Sequence, residues 1–303
     1  VGEPEARRAD PDQAPGLVTP AVLREWPLPD PRGSKDAKGR LVVIGGSVST
    51  PGAVLLAAEA AMRVGAGKVQ VATTAGTAVA LAVALPEAFV LGLDEDDGGD
   101  IAPVAAGRLV ELCDGADAVL LGPGIGAPEA ASALLEGVVP HLHVPVVIDA
   151  LGTAYLTKSR DGVRHLADRA LLTPNATELS KVLDEELADV DGDVLGATRR
   201  ACAATGATVL SGSDVSYVVV PDGRAWCLEA GAPGAAAAGS GDVKAGTVAG
   251  LLARGATPAQ AAAWGAYLHG RAAERLTASV GRVGFLAREL VEELPLVLAE
   301  VEA

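Results

Sequence analysis

From Arg40 onward the chain repeats one pattern: a short aliphatic or β-branched run, a glycine- or proline-rich turn, then a longer apolar stretch with helical spacing. Leu41 to Ile44 is such a run and ends in Gly45-Gly46-Ser47. Thr50 and Pro51 then open a helix predicted over 52–64, with Thr50 as N-cap and Pro51 in the first turn. It stops at Gly65-Ala66-Gly67, and Val69 to Ala72 reads as the next strand. Strand, glycine turn, helix and strand in that order imply parallel strands joined by a right-handed crossover. The pattern continues with strands at Ala118 to Leu121, Pro145 to Ile148, Ala170 to Thr173 and Thr208 to Leu210. Tyr217 to Val220 and Ala225 to Cys227, joined through Pro221-Asp222-Gly223, read as a hairpin. The expected fold is α/β, a largely parallel sheet with helices on both faces. Residues 1–20 read as a mobile tail, Pro20 to Pro31 as an arm laid on the domain, and 21–303 as one domain, since no linker after residue 40 divides the chain.

Residues able to do chemistry fall where these strands end, the edge at which open parallel sheets bind ligands. In Gly234 to Gly255, the Gly239-Ser240-Gly241 turn carries no bulky side chain, and Asp242 follows where a helix with Val243, Ala245, Val248, Leu251 and Leu252 begins. Free N–H groups and the positive end of the helix dipole hold phosphate there, and a carboxylate beside them can take a proton from an attacking hydroxyl. The same Asp242 would serve equally well as an N-cap on an alanine-rich core helix. Thr173 to Glu178, TPNATE, sets an amide at Asn175 and a carboxylate at Glu178 on one side of a first helical turn, able to order water around a magnesium ion that bridges phosphates. A plain helix start explains the same spacing. GPGIG at 122–126 and Asp149 also close strands. His141 and His143 alternate faces rather than converging on a metal, and His165 and His269 have no partner visible in the sequence.

Aromatic residues make up only 3% of the chain, so its core is built from Ala, Val and Leu, with helices close to their neighbours. The net charge of −15 argues against binding nucleic acid or anionic membranes through the overall field, yet leaves room for a nucleotide held by local N–H groups and a cation. Cys113, Cys202 and Cys227 are far apart and form no CxxC pair, which suits a reducing compartment. With a charged, proline-rich N-terminal stretch unlike a signal peptide and no uninterrupted apolar span, the expected location is the cytoplasm.

Lys38-Gly39, VVIGGS, PGAVLLAAEAAMRVGAGKVQVAT, LGPGIG, VVIDA, the LTP stretch, PDG and GSGD, in that order and spacing, resemble the NAD(P)H-hydrate dehydratases, a ribokinase-like family often called the YjeF C-terminal domain. The resemblance runs from about residue 38 to 298. It implies ADP- or ATP-dependent dehydration of hydrated NADH and NADPH, with Mg2+, in a homo-oligomer, expected to be a tetramer. It further implies Asp242 as base, also in contact with substrate; Ala53, Gly124 and Asn175 against the substrate; Ser211, Gly212, Ser213, Asp214 and Val215, with Gly239, Ser240 and Gly241, around the nucleotide; and Glu178 reaching the metal through water. The chain departs from the family at Asn175, where His is usual, and at Ser211 to Val215, where Lys-Gly-x-x-Thr is usual. The Asn and Lys usually found before the catalytic turn are missing from Ala232 to Gly239, with Ala237 unable to supply charge, and the second Asp after Asp149 is absent. Lys244 is a candidate replacement for the lost cations, since a lysine early in a helix opposes the dipole; a solvent-facing Lys244 is the alternative. A small-molecule kinase of the ribokinase, hydroxymethylpyrimidine or hydroxyethylthiazole type, or a silent nucleotide-binding homologue, would use the same motifs.

Overall fold

Seven parallel strands form the centre of the protein, each hydrophobic run pairing with another of its kind. The structure, a computed structural model, describes residues 14–30, 38–229 and 237–303. Its strands are β1 Gly16–Leu17, β2 Arg40–Ile44, β3 Lys68–Thr74, β4 Phe89–Leu93, β5 Ala118–Leu121, β6 Val146–Ile148, β7 Ala170–Leu172, β8 Thr208–Gly212, β9 Val215–Val219 and β10 Ala225–Glu229. The helices are α1 Pro20–Glu25, α2 Pro51–Arg63, α3 Ala75–Ala84, α4 Ala106–Cys113, α5 Pro128–Val138, α6 Ala154–Lys158, α7 Ala176–Leu183, α8 Leu187–Gly192, α9 Val194–Thr205, α10 Ser240–Ala253, α11 Pro258–Ser279 and α12 Ala287–Glu302. The sheet order is β1-β10-β9-β8-β7-β6-β5-β2-β3-β4, parallel from β8 through β4 and antiparallel on both sides of β9. Among the described residues no helix is long and apolar enough to cross a membrane.

The unbroken apolar runs are explained by burial on both faces. Leu41 and Val43 of β2 point into one core, under α2, α10, α11 and α12; Val42 and Ile44 point into the other, under α4, α5, α7 and α9. The expected α/β class and the hairpin about Pro221-Asp222-Gly223 are both present. β4 was not legible in the sequence: it is a sheet edge, half-exposed along most of its length, with little alternation to mark it. The expected tail over 1–20 is too long. Residues 1–13 lie outside the described residues, but Gly16–Leu17 pairs with Trp226–Cys227, because an edge strand offers unpaired backbone groups to any extended segment that reaches it. The arm that follows is fastened by its backbone, with Trp264 Nε1 donating to Trp26 O at 2.9 Å and Gln260 Nε2 to Pro27 O at 2.8 Å; its end, over 31–37, also lies outside the described residues.

With few aromatic side chains to hold elements apart, α10 lies directly on α2. A Cβ added at Gly246 would stand 2.1 Å from Ala57 O, and one at Gly250 would stand 2.7 Å from Ala61 Cα. Gly246→Ala removes the entropic cost of a helical glycine, worth about 1 kcal/mol, but drives a methyl into backbone, which costs about 1–3 kcal/mol or more. The variant is therefore expected to melt lower than the wild type in calorimetry. A raised melting temperature would show that the helices are free to separate.

Candidate active site

The close contact of α10 with α2 sets the start of α10 over the C-terminal ends of the central strands. Gly239 is its N-cap, with φ 86°, and a Cβ there would meet Leu56 Cδ1 at 2.7 Å, so the turn needs glycine on both counts. No side chain caps this end. A Cβ at Gly241 would meet nothing within 4 Å, and the Ser240 N–H donates to Ala237 O at 3.0 Å. Asp242 is the third residue of the helix and not its cap; the bland alternative for this aspartate fails on position. Ser240 is buried, and its hydroxyl lies 3.0 Å from His269 Nε2 of α11. Burial, aided by the Lys244 charge, lowers the His269 pKa to about 3, so the imidazole is neutral and acts as a fixed hydrogen-bond partner for the turn.

Three carboxylates and one ammonium share this edge. Asp149, after β6, is buried and accepts from Thr173 Oγ1 at 2.6 Å; Ala150 beside it is held at φ 50°, a conformation uncommon outside glycine. Burial raises the Asp149 pKa to about 8 against the pull of Thr173 and Lys244, with Glu178 and Asp242 adding to the rise. Asp242 is raised to about 6 by burial and by the Glu178 charge. Glu178 is raised by burial, opposed by its bonds to Asn175 and by Lys244. Burial lowers Lys244, opposed by the nearby Asp149 and Glu178. Lys244 is half-buried, and the charges of Asp149 and Glu178 act on it. The value near 6 leaves Asp242 ionised at neutral pH yet basic enough to accept a proton.

Other expected site residues are placed differently from their sequence reading. Asn175 and Glu178 close a capping box on α7: Glu178 N–H donates to Asn175 Oδ1 at 3.0 Å, while Asn175 N–H and Nδ2 donate to the carboxylate at 3.0 and 2.8 Å. The plain helix start is therefore realised. Ser211 is a correction: its hydroxyl is fully buried and donates to Pro174 O at 2.8 Å, tying β8 to β7, so its side chain does not face a ligand. Ser240 is spent on His269 in the same way. Ser213 and Asp214 are the exposed tip of the β8–β9 turn, which Gly212 enters at φ 128°, and Val215 begins β9. Gly212 and Ser213 share a cavity of about 390 Å3 with Asn175, Leu187 and Asp191. Ala53 and Gly124 are brought together, a Cβ at Gly124 falling 2.8 Å from Ala53 Cβ. Thr50 stands at the N-cap of α2, but its hydroxyl donates to Gly124 O at 2.6 Å instead of capping. Ala237 opens the described stretch before the turn, while the rest of the segment, 230–236, lies outside the described residues. The pairings Asp149–Thr173 and Ser240–His269 were missed in the sequence; each aspartate or turn residue was visible there, its partner was not.

The sequence model of a family described as NAD(P)H-hydrate dehydratase matches residues 41–296. The ADP-dependent (S)-NAD(P)H-hydrate dehydratase of Xanthomonas campestris is 39% identical over 283 residues, covering 93% of this chain and 95% of that protein. The chain spans about half the length of the bifunctional repair enzymes it also matches. Among solved structures, a ribokinase-like superfamily protein of Enterococcus faecalis superposes with a TM-score of 0.81 at 24% identity, covering 95% of this chain and 97% of that one, a likeness of fold. The ADP/ATP-dependent NAD(P)H-hydrate dehydratase of Bacillus subtilis, co-crystallised with ATP and Mg2+, gives 0.79 at 25% identity, covering 95% and 99%.

The raised Asp149 pKa carries a stability consequence. The folded chain keeps this proton up to about pH 8, whereas an unperturbed aspartate loses it near 3.8, so stability falls as pH rises through that window. Asp149→Asn keeps the acceptor for Thr173 and removes the buried charge. Its melting temperature is expected to exceed that of the wild type at pH 8, with the gap closing toward pH 4. A gap that stays constant across that range would show that Asp149 titrates normally.

Proposed function

Because the chain belongs to the NAD(P)H-hydrate dehydratase family, we propose that it repairs nicotinamide cofactors by removing water from hydrated NADH and NADPH, with ADP as co-substrate. The observation that carries this reading is Asp242, a half-buried carboxylate in the first turn of α10, beside open space at Gly241. Asp242 accepts the proton of the ring hydroxyl as that oxygen bonds to the β-phosphorus of ADP, and the bond from phosphorus to the bridging oxygen breaks to release AMP. The ring carbon–oxygen bond then breaks, its electron pair leaves with phosphate, and the neighbouring ring carbon gives up a proton to restore the double bond. The matches do not favour the small-molecule kinase alternative.

The role assignments extend this reading to the individual residues. Ala53 and Gly124, in contact, are read as a side-chain-poor wall for the cofactor, and Asn175 as a further substrate contact. Backbone groups of Gly212 to Val215 and of Gly239 to Gly241 hold the nucleotide; Ser211 and Ser240 position these segments through their buried bonds. Among the described residues no three His, Cys, Asp or Glu side chains are grouped to hold a metal. A magnesium ion would therefore arrive on the nucleotide phosphates and meet Glu178 through water, where it would offset phosphate charge. Residues 21–303 are read as one ribokinase-like catalytic domain in the cytoplasm, the cysteines being free. A homotetramer is favoured by the apolar α3 face, where Val79 and Val83 are 76% and 78% exposed next to edge strand β4.

Mixing the protein with hydrated NADH, Mg2+ and ADP or ATP, and following recovered NADH absorbance, tests the activity directly. Asp242→Asn is expected to abolish turnover without lowering the melting temperature, and the wild-type kcat/KM to fall as pH drops below about 6. Wild-type turnover in the variant would remove Asp242 from the chemistry.

Lys244, already among carboxylates, is expected to reach the nucleotide phosphates in place of the lysine absent at Ser211. Such a contact is worth about 1.5–3 kcal/mol, so Lys244→Ala should weaken ADP affinity about 10- to 100-fold in calorimetric titration at fixed Mg2+. Affinities equal within about twofold would confine Lys244 to balancing Asp149 and Glu178.

A further inference from the structure

At the opposite edge of the sheet, where the strands begin, a second cavity of about 560 Å3 opens between the turn before β7, the start of β8, the β9–β10 turn and the start of α11. Its floor is buried and mostly apolar, with Val220 5% exposed and Ala259 5% exposed, yet it includes Thr208, 3% exposed. Among the described residues the Thr208 hydroxyl has no hydrogen-bond partner. The hydroxyl is reached from the cavity, where water or the acceptor of a ligand can take its hydrogen bond. Beside it stands the N-terminus of α11, a 22-residue helix. Pro258 has no N–H, and the Gln260 N–H is taken by Thr257 Oγ1, so the Ala259 N–H remains directed outward at the positive end of the dipole.

The rim adds charge. Arg164 is braced by Nη2, which donates to Ala203 O and Ala204 O at 3.0 and 2.9 Å, the last carbonyls of α9. Its Nη1 and Nε are left over, and among the described residues it pairs with no carboxylate. Arg224 is held by Asp222 at 2.7 Å, so that pair contributes no net charge. Asp168, exposed on the rim, opposes a multiply charged guest more than a singly charged one. The space exceeds that of a bare ion and falls in the range of small-molecule sites. From these features we infer that this cavity is a binding site for a small organic monoanion, a carboxylate with an apolar body, whose head meets Thr208, Ala259 N–H and Arg164. The site is separate from the cofactor-repair site and does not depend on the activity proposed above.

The probe is 4-fluorobenzoate, followed by 19F NMR on the full chain with ADP and Mg2+ present in excess, and inorganic phosphate is titrated in parallel. The expected result is saturable benzoate binding that Arg164→Gln weakens about tenfold or more and Thr208→Val about threefold or more, with phosphate binding weaker than benzoate. Because Arg164 also braces α9, Thr208→Val is the decisive variant if Arg164→Gln melts early. Absence of saturable binding through the millimolar range, binding unaffected by Thr208→Val, or phosphate bound more tightly than benzoate would each overturn the proposal.

Discussion

The close packing of α10 on α2 is the constraint on which the rest of the protein depends. Two glycines one helical turn apart, Gly246 and Gly250, let the helix backbones touch at Ala57 and Ala61. That contact fixes the height and direction of α10, and therefore where its first turn meets the strand ends. A side chain of ordinary size at either glycine would push α10 away from α2, and Asp242 with it. The alanine-rich composition is thus part of how the site is built: small residues bring backbone to backbone and set where the N-terminal N–H groups of α10 stand.

The second element of design is charge held in reserve. Asp149, Glu178 and Asp242 all have raised pKa values from burial, and Lys244 is the cation among them. Each carboxylate is restrained in its own way: Asp149 by Thr173, Glu178 by the Asn175 cap, Asp242 by its place in the helix. Such a cluster gains from an arriving cation or proton. Neutral His269 behind Ser240 adds no charge to this balance; it only keeps the turn in place.

The N-terminal arm shows the same economy. It joins the domain through carbonyl oxygens of Trp26 and Pro27 taken by Gln260 and Trp264, and through the tilted Trp26–Trp226 ring pair at 5.5 Å. The chain's three tryptophans meet at this seam.

The sequence by itself determined the parallel α/β plan, most strand positions, the family, and the position of Asp242, because apolar runs bounded by glycine turns carry local information about period and direction. It also marked Asn175, Glu178, Gly124 and Asp149 as strand-end residues. Only the tertiary structure decided what each of them touches. Thr50 reads as a cap but serves Gly124 across 74 residues; Ser211 reads as a ligand contact but ties β8 to Pro174; His269 reads as solitary but meets Ser240 across 29 residues. Edge strands β1 and β4 escaped notice because β1 is only two exposed residues and the apolar run of β4 is interrupted by Gly92. Local pattern reports which face is buried, whereas a hydrogen bond between distant segments depends on how the sheet and helices bring them together, and that distance is not written in either segment alone.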